Sequence, residues 1–276
     1  MNKLDTAKRA QIVSALVEGC SIRATVRMTG ASKNTIAKLL VELGAACSDY
    51  LDKTLVNLRC KRVQVDEIWS FCYAKAKNVT PEITAKNPFA GDVWTWVAID
   101  ADSKLIPSWT IGPRDGVTAR IFVNDLAGRL ANRIQLTSDG LSAYLIAVEK
   151  AFHGHVDYAQ LVKIYGDTSE GQKRYSPAEC IGCDQHVIDG RPDPEHISTS
   201  YIERQNLTMR MGMRRYTRLT NAFSKKIEHH IASVAIHIMH YNFVRIHQTL
   251  RVTPAMAAGV TDRLWGIEDL VSLADR

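Results

Sequence analysis

Arg62-Val-Gln-Val-Asp66-Glu67-Ile-Trp69 alternates, is rich in β-branched residues, and reads as a β-strand that carries two adjacent carboxylates. The middle of the chain arranges itself around it. Val93 to Asp100 reads as a second strand, Asp100 to Lys104 as a hairpin turn, and Leu105 to Ile111 as a third strand. Residues 117–133 have helical periodicity, with Ile121, Leu126 and Leu130 on the expected buried face. Ile134 to Ser138 is a fourth strand, and it runs directly into Asp139-Gly140. A helix over 141–152 and a fifth strand over 156–164 follow. Three antiparallel strands, then helix, strand, helix and strand, describe an α/β fold with a mixed five-stranded sheet flanked by helices.

Residues 166–199 change character. Glycine, serine and charge become frequent, and Pro177, Pro192 and Pro194 interrupt any element, so a loop insertion is expected. From Ser200 a helical pattern resumes and continues, with a break, to about His247. It opens with Ser200-Tyr-Ile-Glu203-Arg-Gln-Asn206. Glu203 and Arg210 are about two helical turns apart, which places them on one helix face roughly 10 Å apart along the axis. A base at that spacing holds a phosphate near a carboxylate without quenching it.

The first 45 residues read as three short helices. Ile12, Val13, Leu16 and Val17 make one apolar face ending at Gly19, and Ser21 caps a second helix containing Ile22 and Val26. After the turn Thr29-Gly30-Ala31, Ser32 caps a third helix with Ile36, Leu39, Leu40 and Leu43, closed by Gly44. Helix, Gly-containing turn and amphipathic helix form the helix-turn-helix pattern, in which the start of the second helix meets base edges. The residues so placed are Lys33, Asn34 and Thr35, with Lys38 one turn on. Lys and Asn suit guanine and adenine. The expected division is a helix-turn-helix domain over 1–45, a basic linker over 46–62, a catalytic domain over 63–250 and a tail over 251–276.

Charge supports a nucleic-acid partner. The 276 residues carry a modest net +6. Residues 1–62 hold eleven bases against five acids, and residues 203–226 hold seven against one, so each segment is +6 and the remainder is −6. Two basic segments flanking an acidic middle suit phosphate neutralisation. A hydrophobic content of 46% excludes general disorder. No run of about 18 apolar residues points to a membrane span. The polar start at Met1 shows no signal peptide, so the six cysteines are expected to be reduced thiols in a cytoplasm.

The ordered set Val-Asp66-Glu, Thr-Ser-Asp139-Gly and Tyr-Ile-Glu203-Arg-Gln-Asn with Arg210, behind a helix-turn-helix, resembles the bacterial insertion-sequence transposases of the Asp-Asp-Glu class. The tail Tyr241-Asn-Phe-Val-Arg-Ile-His-Gln-Thr-Leu250 with Thr253-Pro254 is similar to the end of such enzymes, and the pattern comes closest to those of very small insertion elements. The resemblance spans nearly the whole chain. It implies an RNase H-like, integrase-like catalytic domain, with Asp66, Asp139 and Glu203 as catalytic and metal-binding residues. It further implies two Mg²⁺ or Mn²⁺ ions, cleavage at element ends and transfer into target DNA. At least a dimer on double-stranded DNA and a bacterial, nucleoid-associated location also follow. Arg210, Arg214 and Arg215 join Lys33, Asn34, Thr35 and Lys38 as expected DNA contacts. Some relatives open with a zinc module; only Cys20 and Cys47 lie in that region here, too few for a four-ligand site.

Other readings stand beside this one. A stand-alone metal-dependent nuclease or resolvase of the same fold would cut without joining, and a catalytically silent DNA-binding regulator would only bind. Glu67 competes with Asp66, but neighbouring strand residues face opposite sides, so one of the two is expected at the site, and the resemblance favours Asp66. Asp100 and Asp102 read as turn formers, and Asp157 as a reserve candidate. Cys180-Ile-Gly-Cys183 with His186 is half a zinc set that needs a ligand such as His196 or Cys72; two loop thiols explain it as well. His229, His230, His237, His240 and His247 mostly lie off the apolar stripe and are expected at the surface or facing DNA. Trp94 and Trp96 read as core.

Overall fold

The computed structural model describes residues 4–166, 180–217 and 221–275. Three helices come first: α1 (Thr6–Val17), α2 (Ile22–Thr29) and α3 (Lys33–Thr54). Each begins where a short polar side chain satisfies a free backbone N–H: Asp5 accepts from Lys8, Ser21 from Ala24 and Ser32 from Thr35. Gly30 closes α2 at φ +69, a left-handed conformation that glycine adopts without Cβ strain.

The sheet follows as β1 (Arg62–Cys72), a short helix α4 (Pro81–Lys86), β2 (Gly91–Asp100), β3 (Trp109–Gly112), α5 (Gly116–Arg129), β4 (Ile134–Ser138), α6 (Ala143–Phe152), β5 (Val156–Tyr165) and β6 (Cys180–Asp189). Its order is β3-β2-β1-β4-β5-β6. β1, β2 and β3 pair antiparallel, β1, β4 and β5 parallel, and β6 antiparallel to β5. This six-stranded mixed sheet flanked by helices is compatible with an RNase H-like fold.

Two differences from the expected strands have physical reasons. The sheet has six strands rather than five, because part of the expected insertion is the edge strand β6. That strand is held by its backbone ladder to β5, and most of its side chains are exposed. No apolar alternation is required of it, so the sequence shows none. β3 is shorter than Leu105–Ile111 because Ile106 leaves the ladder. Its N–H and C=O bond the Asn242 side chain instead, at 3.0 Å each. Residues 167–179, including Pro177, lie outside the described residues.

The C-terminal region consists of α7 (Ser200–Gly212), a short turn at Arg214–Tyr216, α8 (Ile227–Met239), a wider helical turn over His240–Val244, α9 (Pro254–Ala257) and α10 (Ile267–Ser272). α3 does not close at Gly44 but runs on to Thr54, through the first part of the stretch expected to be a linker. Gly44 acts as a packing surface. A Cβ there would fall 2.4 Å from the Cα and Cβ of Ala232 on α8. Ile36, Leu39, Leu40, Leu43, Cys47 and Leu51 bury one face of α3, and they belong to one contiguous core with Val65, Trp96 and Phe122 around the sheet. Burial of each such large apolar side chain contributes about 1.5–3 kcal/mol.

The chain end folds back onto this assembly. Trp265 packs 5.0 Å from Tyr50 and 5.2 Å from Phe243, ring centre to ring centre, and Arg9 pairs with Asp275 at 2.6 Å. Among the described residues no helix is long and apolar enough to cross a membrane.

Candidate active site

The sheet topology creates a notch. Parallel pairing of β1 with β4 covers Arg62↔Gln135 to Gln64↔Thr137 and then stops. Continuing that register places Asp66 level with Asp139, one strand over and just past the end of β4. Beyond Gln64 the β4-side edge of β1 is open, so side chains from either face of β1 reach the gap. Carboxylate oxygens of Asp66, Glu67 and Asp139 accordingly lie within 4.8 Å of one another. The expectation that only one of Asp66 and Glu67 could face the site is thereby corrected. Alternation still sends the two side chains to different partners, Asp66 to Asn206 on α7 and Glu67 to Tyr144 on α6, while their oxygens stay close to each other and to Asp139.

Glu203 stands on the wall of the same cleft, which has a volume of about 770 Å³ and is also lined by Arg114, Lys163, Asn206 and Arg210. β1 anchors the helix that carries it. Gln64 Oε1 accepts the backbone N–H groups of Tyr201 at 2.8 Å and Ile202 at 3.1 Å, satisfying the start of α7. Three residues past Glu203, the Asn206 amide donates to Asp66 Oδ2 at 2.8 Å. Glu203 stays outside the close carboxylate group because it has other partners: Lys163 Nζ and Thr199 Oγ1, each at 2.5 Å.

The electrostatics follow from crowding. Asp66 is pushed up to about 7, first by burial and then by the charge of Glu67; Asp139 and Glu203 add to this, against a backbone N–H bond that works the other way. Glu67 is also raised, by burial first and then by Asp139, although Arg114 and Tyr144 offset part of this. The Asp139 carboxylate accepts the Leu141 N–H at 3.0 Å. An all-oxygen donor set held together against its own repulsion suits a hard divalent cation such as Mg²⁺ or Mn²⁺.

The other expected site residues fall in different places. Lys33, Asn34 and Lys38 are exposed along the start of α3, where Lys38 pairs with Glu42 at 3.6 Å. The Thr35 hydroxyl lies 2.9 Å from the capping Ser32 hydroxyl. Arg210 lines the cleft and Arg214 is exposed. Arg215 is half-buried. It donates to Ser224 Oγ at 2.8 Å, and burial lowers it to about 10.

His230 and His237 are likewise buried rather than facing solvent. His230 sits 3.0 Å from Ser224, 3.2 Å from Tyr216 and 3.3 Å from Ser70, whereas both ring nitrogens of His237 have no partner. Asp157 is committed to Arg133 and the Arg191 N–H, and Asp100 caps its turn through Ser103. Trp96 is core, as expected, but Trp94 is only partly buried. Cys180 and Cys183 are exposed on β6 with sulfurs 3.9 Å apart. The only potential metal-binding group of three or more among the described residues is the Asp66, Glu67 and Asp139 cluster, so the Cys-Cys-His set is not assembled there.

Sequence reasoning missed Arg114, Lys163 and Asn206. Asn206 carried a signal, three residues from Glu203 on one helix face. Arg114 and Lys163 carried none, since a loop arginine and a strand lysine acquire meaning only from what the fold sets opposite them.

No protein-family profile matches the chain, and no curated protein does. Among solved structures, the Mos1 transposase paired-end complex with left transposon end is similar at 12% identity and a TM-score of 0.24, over 57% of this chain and 60% of that one. The Mos1 strand transfer complex is similar at 11% identity and a TM-score of 0.25, over 87% and 76%. The chain thus spans about 60% of the length of the first of these. The overlaps are loose and carry no functional argument.

Proposed function

We propose that this protein is a transposase of the Asp-Asp-Glu class, a metal-dependent polynucleotidyl transferase that cuts the ends of a small insertion element and joins them to target DNA. The observation that carries the reading is the notch where β1 outruns β4. There Asp66 and Asp139 are brought level, inside a cleft whose walls hold Glu203 and the bases Arg210, Lys163 and Arg114. Acids at the floor and bases on the walls suit a phosphodiester that must be both held and attacked.

Asp66 and Asp139 would hold the divalent ions, and Glu203 would complete the set on release from Lys163. Bound as a pair, such ions supply an activated oxygen nucleophile and charge neutralisation at the leaving oxygen. The protein's own residues do the rest. Asn206 and the Glu67 N–H orient the Asp66 carboxylate. The Leu141 N–H orients Asp139, and Lys163 and Arg210 present positive charge to the DNA backbone. Lys33, Asn34, Thr35 and Lys38 at the start of α3 would read the element end in the helix-turn-helix manner, with at least two copies of the chain pairing the two ends.

A single assay tests this. Labelled element-end duplexes are incubated with a target plasmid and Mg²⁺. Joined product is expected from the wild type, and Asp139→Asn should bind ends normally yet neither cut nor join. Cutting without joining would favour the nuclease, binding alone the silent regulator, and full joining by Asp139→Asn would overturn the site.

A further inference from the structure

Glu67 looks like a fourth metal-binding carboxylate, but its oxygens are already committed. Its side chain is 1% exposed. Oε1 accepts from Arg114 Nε at 2.5 Å, and Oε2 accepts from the Tyr144 hydroxyl at 3.2 Å. Arg114 is in turn held from several directions. It lies in the three-residue connection between β3 and α5, whose backbone is fixed on one side by Trp96 Nε1 donating to the Pro113 carbonyl at 3.2 Å. On the other side Asp115 caps α5 by accepting the Thr118 N–H at 2.8 Å. The guanidinium carbon stands 5.1 Å from the centre of the Trp94 ring. Its Nη2 reaches to 3.7 Å from Asp139 Oδ2, and 39% of the side chain remains open to the cleft.

A guanidinium fixed through Nε and stacked on an aromatic ring keeps its outer N–H groups in a defined plane, the geometry that matches two phosphate oxygens. Its ordering cost is met before any ligand arrives. We infer that Arg114 is the phosphate-binding residue of the reaction centre, with Glu67 and Trp94 as its positioning residues and Glu67 not a metal ligand. The inference rests on the strand-transfer reading above. Arg114 contacts the non-bridging oxygens of the phosphodiester under attack, beside Asp139, where negative charge builds up in the transition state. A mobile surface lysine would supply charge there, but not the fixed plane.

The test uses the full chain with element-end duplex and Mn²⁺. Arg114→Ala should bind Mn²⁺ by calorimetry at least as tightly as wild type, because a competing cation is gone. It should bind the end within about threefold, and cleave it about 100-fold or more slowly. Arg114→Lys should recover part of that rate, which a purely structural loss would not allow. Glu67→Gln should lower Mn²⁺ affinity only modestly, through the loss of one nearby charge rather than of a ligand, and slow cleavage, and its effect on cleavage should vanish in the Arg114→Ala background. Cleavage by Arg114→Ala at the wild-type rate would overturn the inference, as would a large loss of Mn²⁺ affinity in Glu67→Gln. Additive effects in the double variant would overturn it too. An inactive wild type would instead overturn the transposase reading, so the two failures are distinguishable.

Discussion

Asp66 is the residue on which fold stability and the proposed chemistry pull in opposite directions. Its carboxyl, raised to about 7 by burial and by neighbouring acids, ionises at a cost to the folded state. That cost is absent below the unfolded value near 4, grows as pH rises, and is complete above about 7. Asp66→Asn should therefore melt higher than wild type at pH 8 without metal, by a few degrees, and no higher at pH 4, while losing cleavage at every pH. Equal melting temperatures of the two proteins at pH 8 would refute this. His237 shows the reverse sign. Burial first, then His240 and Arg245, lowers it to about 3, and neither ring nitrogen has a partner. The unfolded chain binds that proton more readily, so stability is full above about 6.5 and declines as pH falls toward 3. His237→Leu should flatten the acid limb of a stability-against-pH curve and cost little at pH 8, because it removes two unsatisfied polar atoms. An unchanged acid limb would count against it.

Among the elements, α3 and α8 pack closely at Gly44 and Ala232. Gly44 lets the two backbones approach to a separation that a methyl group would not permit. Gly44→Ala should destabilise by about 1–3 kcal/mol despite alanine's better helix propensity, the range for overpacking. Chemical denaturation reads this directly, and a stabilised variant would show that the helices part easily. The strand β6 illustrates why an element can be invisible in sequence. It contributes hydrogen bonds along one edge of β5 and buries almost nothing. α3 shows the converse error. Its glycine resembles a stop signal, yet packing against Ala232 uses the missing side chain and the helix continues.

Across the whole molecule, the charge pattern becomes a division of labour in the proposed function. The exposed Lys33 leads α3, whereas Arg210 lines the carboxylate cleft. Lys33→Glu should weaken end binding and lower its salt dependence. Arg210→Glu should impair cleavage more than binding. Filter binding across a salt series, beside a cleavage time course, separates the two, and equal effects on both would indicate only a non-specific basic surface.

Much of this protein was determined locally. Alternation marked β1; an apolar face marked α1, and the polar caps Ser21 and Ser32 marked α2 and α3; Asp66, Asp139 and Glu203 stood out as candidates because each lies in or just beyond a strand or helix with recognisable neighbours. The tertiary structure decided which charges face one another. Glu67 joins the cluster because β1 outruns β4, Arg114 is aimed by Glu67 and Trp94, and Glu203 is held at a distance by Lys163. It also buried His230 and His237, paired Arg215 with Ser224 and folded the tail onto α1. The reason is range. Periodicity and capping act over a few residues and leave their record in sequence, whereas a carboxylate's partner across a cleft is set by sheet order and register, which no single segment encodes.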